Sequence, residues 1–182
     1  MLGVAECADL RRIVRMARST KRPLVLLIDS AGARLDEGLR IQGALRGVMT
    51  ELLDADSAGL PMIALLGRNV FGGASMLAFA AQQRCYAQDT VLAMSGPRVL
   101  ENAGGGSLDS VRAMISGTSR CQHGGGERLL EDSLVAYSAA LRDWICGLPE
   151  GPLPDALGDE RRTLRERLGT NATKLAARVN ID

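Results

Sequence analysis

The stretch that most constrains the fold is an apolar run, Leu24-Val25-Leu26-Leu27-Ile28, introduced by Pro23 and closed by the turn Asp29-Ser30-Ala31-Gly32-Ala33-Arg34. A short continuous apolar run bounded by turn residues reads as a strand buried on both faces, as in a sheet covered by helices. Helical character follows from about Asp36 to Asp56, with Ile41, Leu45, Val48, Met49, Leu52 and Leu53 spaced as one buried stripe. The order is strand, small-residue turn, helix. Its turn lies at the carboxyl end of the strand, where open α/β sheets bind ligands. The same order then returns: Leu60 to Leu66 as a strand, Gly67 to Gly73 as a turn, and an alanine-rich helix to about Gln83.

The other segments are arranged around these two units. Met1 to Thr20 has helical spacing at Leu10, Ile13, Val14 and Ala17, and carries Arg11, Arg12, Arg15 and Arg18 as a solvated face. Arg84 to Ala87 and Thr90 to Met94 read as short strands, and Ser95-Gly96-Pro97 breaks the chain. Glu101 to Gly126 is loop-rich, with glycine tracts around a short helix near Asp109 to Ser116. Glu127 to Cys146 reads as one amphipathic helix with Leu130, Leu134, Tyr137, Leu141, Trp144 and Ile145 on one side. The expected domain is residues 1–146, followed over 147–182 by a proline-rich linker and a charged C-terminal helix.

Composition excludes several functions. A net charge of +1 and 3% aromatic content give no footprint for nucleic acid. No apolar run reaches the roughly 18 residues of a membrane span, and no signal peptide opens the chain; a cytoplasmic protein is expected. The four cysteines form no Cys-x-x-Cys pair and read as reduced thiols, so no metal is expected. No phosphate loop or dinucleotide fingerprint is present. The single histidine, His123, lies in a glycine-rich loop, and neither Ser30 nor Ser75 has an evident base, so a serine–histidine relay is not expected.

Catalysis through backbone donors remains open. An oxyanion hole needs two N–H groups fixed by tight turns and small residues that let a substrate approach. Ala31-Gly32-Ala33 and Phe71-Gly72-Gly73-Ala74 meet that description, with helices beyond to add a dipole. Both turns read equally well as close-packed strand-to-helix connections, and composition does not decide between the two.

These stretches resemble the crotonase superfamily, in particular its carboxyltransferase branch. Asp29-Ser30-Ala31-Gly32-Ala33-Arg34-Leu35-Asp36-Glu37-Gly38 is similar to that branch's first signature, and Gly67 through Ala74 to its second oxyanion turn. Ser95-Gly96-Pro97-Arg98-Val99-Leu100-Glu101 resembles a segment of malonate decarboxylase beta subunits, whereas the Asp36–Asp56 helix and Arg84-Cys85-Tyr86-Ala87 are closer to the gamma subunit. The resemblance runs from about residue 3 to 135. It implies an α/β fold, the crotonase-like spiral of strand–turn–helix units, with hole donors at the N–H groups of Ala33 and Gly72 and with Gly32 and Gly73 allowing the turns. Ser30, Arg34, Asn69, Phe71 and Arg98 are its candidate substrate contacts.

The activity so implied is decarboxylation of, or carboxyl transfer from, a malonyl-type thioester carried on CoA or on the phosphopantetheine of an acyl-carrier protein, with no tightly bound cofactor. The active site would lie between this chain and a second carboxyltransferase-like subunit or another copy of itself. Hydratase chemistry is disfavoured, because the hydratase glutamates fall at Ser75 and about Arg98. The alternatives are a catalytically degenerate subunit that scaffolds an active partner, and hydrolase or isomerase chemistry in the same hole. Three positions depart from the pattern: Ala31 replaces a usual glycine, Asp36 a glutamine and Arg98 a glutamate. By the resemblance the chain would begin past the family's opening strands, so the sheet would lack its first hairpin and leave an edge for a partner chain, or for sequence preceding Met1, to cover.

Overall fold

In the computed structural model, which describes residues 1–104, 106–122 and 127–148, both apolar runs are strands. Leu24–Ser30 is β1 and Met62–Phe71 is β2, paired in parallel from Leu24↔Met62 to Ile28↔Leu66. β2 is the hub of the sheet. Its first half pairs with β3 (Gln83–Ala87) and its last residues pair with β4 (Val91–Ala93). β5 (Glu127–Leu130) adds outside β3, so the order is β1-β2-β3-β5 and every pairing is parallel.

Alternation along the strands divides the core between two faces. Leu24, Leu26, Met62, Ala64 and Leu66 pack against α1 (Val4–Thr20), α2 (Leu39–Ser57) and α3 (Gly73–Phe79). Ile63, Leu65 and Cys85 pack on the other face against Ala140 and Trp144 of α7 (Leu134–Cys146). α7 stops short of β1: Leu27, on the same face, is 78% exposed. β1 is an end strand of the described sheet, and three residues past its end Leu2 bridges to Ala33. A third cluster of Phe71, Val91, Ala93 and Ile115 sits under the short helices α4 (Pro97–Asn102), α5 (Leu108–Met114) and α6 (Gly117–Cys121).

The expected α/β architecture of strand–turn–helix units is present, with several local corrections. The second helix begins at Leu39, not Asp36. Leu35–Glu37 is a single 3-10 turn, and Gly38 at φ 55° breaks the path between them. Gly67 does not start a turn: β2 runs on to Phe71, and the chain bends only at Gly72. α3 ends at Phe79, ahead of Gln83. Glu127–Cys146 is not one helix. Its first four residues are β5, and α7 starts after Ser133, whose hydroxyl accepts from Ala136 N–H at 3.1 Å.

A buried ion pair explains the strand at 127. Arg84 Nε donates to Glu127 Oε1 at 2.8 Å, with both side chains at least nine-tenths buried, across the β3–β5 pairing. Burial raises the pKa of the neighbouring Tyr86 hydroxyl, and the Glu127 carboxylate raises it further. The arginine face of α1 is likewise not simply solvated. Arg15 Nε donates to the buried Glu51 of α2 at 2.6 Å, and Arg18 and Arg11 lie 3.7 and 3.8 Å from the same carboxylate. His123 and the segment from 149 to 182 lie outside the described residues.

Two stability measurements test these ion pairs. Glu127→Ala removes the carboxylate that neutralises a buried guanidinium and should cost roughly 3–5 kcal/mol in chemical denaturation. The hydrogen bond from Arg15, then the charges of Arg15, Arg18 and Arg11, hold the Glu51 carboxyl below its ordinary value of 4.5 against the opposing effect of burial. A depressed folded-state pKa stabilises fully above the ordinary value and is lost as pH falls through the lower one. Glu51→Gln should therefore flatten the acid limb of the stability–pH curve in that window; an unchanged limb would contradict the assignment.

Candidate functional site

The geometry of the site starts from Asp29. Between Ile28↔Leu66 and Ser30↔Val70 the register slips, two residues of β1 passing four of β2. The extra residues bulge at Gly67–Asn69, and the Asp29 side chain fills the bulge. Asn69 N–H donates to Asp29 Oδ1 at 3.2 Å, and a Cβ on Gly67 would lie only 2.6 Å from that of Asp29. A glycine inside a strand marks such a bulge or close approach. Beyond it β2 takes on β4 and delivers Gly72 beside Gly32.

The two glycine turns meet. A Cβ built on Gly72 would lie 3.8 Å from Gly32 Cα, and one built on Gly32 would lie 3.9 Å from the Phe71 carbonyl. Gly32 has φ 121° and Gly72 φ 59°, backbone that side-chain-bearing residues rarely adopt. Ala31 carries no positive φ, so alanine in place of the usual glycine fits there without strain. Ser30 braces the first turn: its hydroxyl donates to the Gly32 carbonyl and accepts from Gly32 N–H, both at 3.2 Å. Gly73 admits α3 close to α2, since a Cβ there would lie 2.5 Å from Leu45 Cδ1.

The donors differ from expectation at one position. Gly72 N–H donates to the Ala93 carbonyl at 3.1 Å, because the β2–β4 ladder reaches that far, and so is not free. Among the described residues, the N–H groups of Ala33 and Gly73 have no hydrogen-bond partner. In the second turn the unpartnered N–H is thus that of Gly73, one residue beyond the expected Gly72. α2 starts six residues past Ala33, too far for its dipole to act at the first donor.

The expected substrate contacts do not all converge. Ser30 serves the turn itself. Arg34 is tied to Glu6 at 2.5 Å and lies 3.6 Å from Glu37, whose other oxygen accepts from Val4 N–H at 2.6 Å, which pins α1 to the first signature. Backbone amides, its own first, and Arg34 hold the Glu6 carboxyl below the usual range. Asn69 is half-buried at the bulge, and Phe71 is packed into the cluster with Val91, Ala93 and Ile115. Arg98 is exposed on α4. Ser75, at a hydratase glutamate position, is fully buried and donates to the Gly72 carbonyl at 2.7 Å, stabilising the second turn.

Among the described residues, cavities flank the turns without being lined by Gly32, Ala33, Gly72 or Gly73 themselves. One of about 760 Å3 lies between β1, β2 and α7 and carries Asp29, Asp89 and Asp132 against Arg68. A second, of about 260 Å3, is apolar, lies under α1 and reaches Ser30 and Ala74. The third, of about 320 Å3, lies between α4 and α5 and is lined by Arg98 and Arg112. Sequence reading missed Asp29 and Arg112. The tight Asp–Gly packing had a signal in Gly67, whereas Arg112 had none. Among the described residues, no group of three or more His, Cys, Asp or Glu is placed to hold a metal, and no helix is long and apolar enough to cross a membrane. Gly32→Ala should destabilise the fold by roughly 1–3 kcal/mol through its positive φ, while Ala31→Gly should cost a few tenths of that or less; equal losses by denaturant titration would contradict the assignment of the turn.

No protein-family model and no curated protein sequence matches the chain. Solved structures do. The chain is similar to a Pseudomonas malonate decarboxylase MdcD-MdcE hetero-dimer at 23% identity and TM-score 0.70, over 92% of this chain and 73% of that one. It is similar to transcarboxylase 12S with methylmalonyl-CoA and methylmalonic acid bound, at 19% identity and TM-score 0.73, over 81% of this chain and 29% of that one. The beta subunit of geranyl-CoA carboxylase from P. aeruginosa follows at 19% identity and TM-score 0.68, over 82% and 28%. The chain thus spans under a third of the length of the last two. By architecture it has the crotonase-like fold of the carboxyltransferases.

Proposed function

We propose that the chain binds a malonyl-type thioester and decarboxylates it or transfers its carboxyl group. The observation that carries this reading is the meeting of the two glycine turns, with Ala33 and Gly73 N–H unpartnered on either side of it. Two amides fixed in place suit an acyl oxygen that gains negative charge. When the bond between the carboxylate carbon and the α-carbon breaks, CO2 leaves and the electron pair enters the enolate, whose oxygen the two amides hold. In decarboxylation the α-carbon then takes a proton from water, leaving hydroxide; in transfer it takes the proton from the acceptor's nucleophilic atom, which bonds the released CO2. No general base is needed for the first step, and the buried Ser75 supplies none.

The substrate carrier is CoA or an acyl-carrier protein, in keeping with the methylmalonyl-CoA in the similar transcarboxylase. A second carboxyltransferase-like subunit or a second copy completes the site, as the similar malonate decarboxylase hetero-dimer suggests. A water-filled cytoplasmic setting fits such a reaction. A second reading, a degenerate subunit that scaffolds an active partner, is favoured by the committed Gly72 N–H and by the capture of Arg34 between Glu6 and Glu37.

Release of CO2 from malonyl-CoA and malonyl-carrier protein separates the readings. Turnover should appear, alone or with the partner subunit, and should fall roughly 10²–10³-fold when the amide N–H of Ala33 or of Gly73 is replaced by an ester oxygen. If partnered turnover is unmoved by either replacement, the scaffold reading stands. Turnover of acyl-CoAs lacking a free carboxylate would instead indicate hydrolase or isomerase chemistry.

A further inference from the structure

The cavity between α4 and α5 has a character the other two lack. Among the described residues its charged lining is Arg98 and Arg112, with Gly96, Pro97, Val99 and Leu108 beside them. Neither guanidinium has a hydrogen bond or ion pair among the described residues, although Glu101 and Asp109 stand on the same two helices. Two like charges facing one cleft repel unless an anion lies between them. Both residues are exposed, and Pro97 is buried beneath, so the helices that carry them are anchored.

The cleft is also close to the glycine turns. β4 ends at Ala93, whose carbonyl receives Gly72 N–H, and the Met94 carbonyl would lie 3.9 Å from a Cβ on Gly72. Gly96, at the rim of the cleft, follows two residues later, within about 7 Å of extended chain. The cavity of about 760 Å3 between β1, β2 and α7, by contrast, opposes one guanidinium with three carboxylates and is a poor place for a polyanion.

We propose that Arg98 and Arg112 form a two-guanidinium seat for a planar or tetrahedral oxyanion, namely a carboxylate or phosphate group of the thioester. The site is separate from the amide pair that holds the acyl oxygen, and its tie to a thioester rests on the function proposed above. Guanidinium forks match both anions bidentately, which lysine does not. Arg112 enters the site only through the packing of α5 on α4. Arg98, in place of the family glutamate, gives the cleft its second positive charge.

Isothermal titration of the full chain with inorganic phosphate and with free malonate tests the seat directly. Arg98→Ala and Arg112→Ala should each weaken at least one of these anions about tenfold or more, with Arg→Lys intermediate and thermal melting unchanged. CoA against dephospho-CoA, and malonyl- against acetyl-pantetheine, then assign the source. A penalty in the variants that disappears with dephospho-CoA marks phosphate; one that disappears with acetyl-pantetheine marks the acyl carboxylate. A folded double variant that binds all of these as the parent does would overturn the proposal. Arginine-dependent binding of phosphate or malonate with no thioester bound would leave the seat standing and remove the thioester reading.

Discussion

The structure depends on the Asp29 side chain lying in the bulge of β2. Without that carboxylate, Asn69 N–H loses its acceptor and the extra residues of β2 lose what fills them. β2 can then pair with β3 along its first half and with β4 along its last only because it changes course in between. The change of course sets Gly72 against Gly32. One acidic side chain, two residues ahead of Ala31, thus fixes the relation between two segments forty residues apart through the hydrogen bond it accepts.

Around this contact the protein uses ion pairs to fasten its helices. Arg34 joins the first signature to the start of α1 through Glu6 and Glu37, and three arginines of α1 close on Glu51 of α2. On the far face Arg84 and Glu127 lock β3 to β5. Pairs of this kind contribute little as exposed contacts, but around the buried Glu51 and Glu127 they fix which surfaces meet. The signature arginine thus has a structural task, tied to Glu6 and Glu37 rather than open to a ligand.

Much of the fold was legible because it is local. The apolar runs at 24–28 and 60–66 announce strands, and the glycine turns after them announce themselves by composition. What was misread depends on distant partners. Glu127-Arg128-Leu129-Leu130 continues the helical pattern of α7 in isolation and becomes a strand only because Arg84 and the edge of β3 receive it. Gly67 signals a turn by type, yet here marks a bulge that exists only against Asp29. Gly72 N–H is spent on Ala93, a carbonyl on a strand that the sequence places but cannot pair. The glycine pair at the site was therefore legible, but which of its amides remains available was not.

The central claim is that the Ala33 and Gly73 amides hold one acyl oxygen together. Amide proton shifts of the isotopically labelled protein, titrated with acetyl-CoA alone and with the proposed partner subunit added, test it most directly. The account predicts that the Ala33 and Gly73 amide protons move downfield together with a shared dissociation constant while that of Gly72, bonded to Ala93, stays in place. Movement of Gly72 with Ala33 and Gly73 both still, or saturation with none of the three displaced, would contradict it.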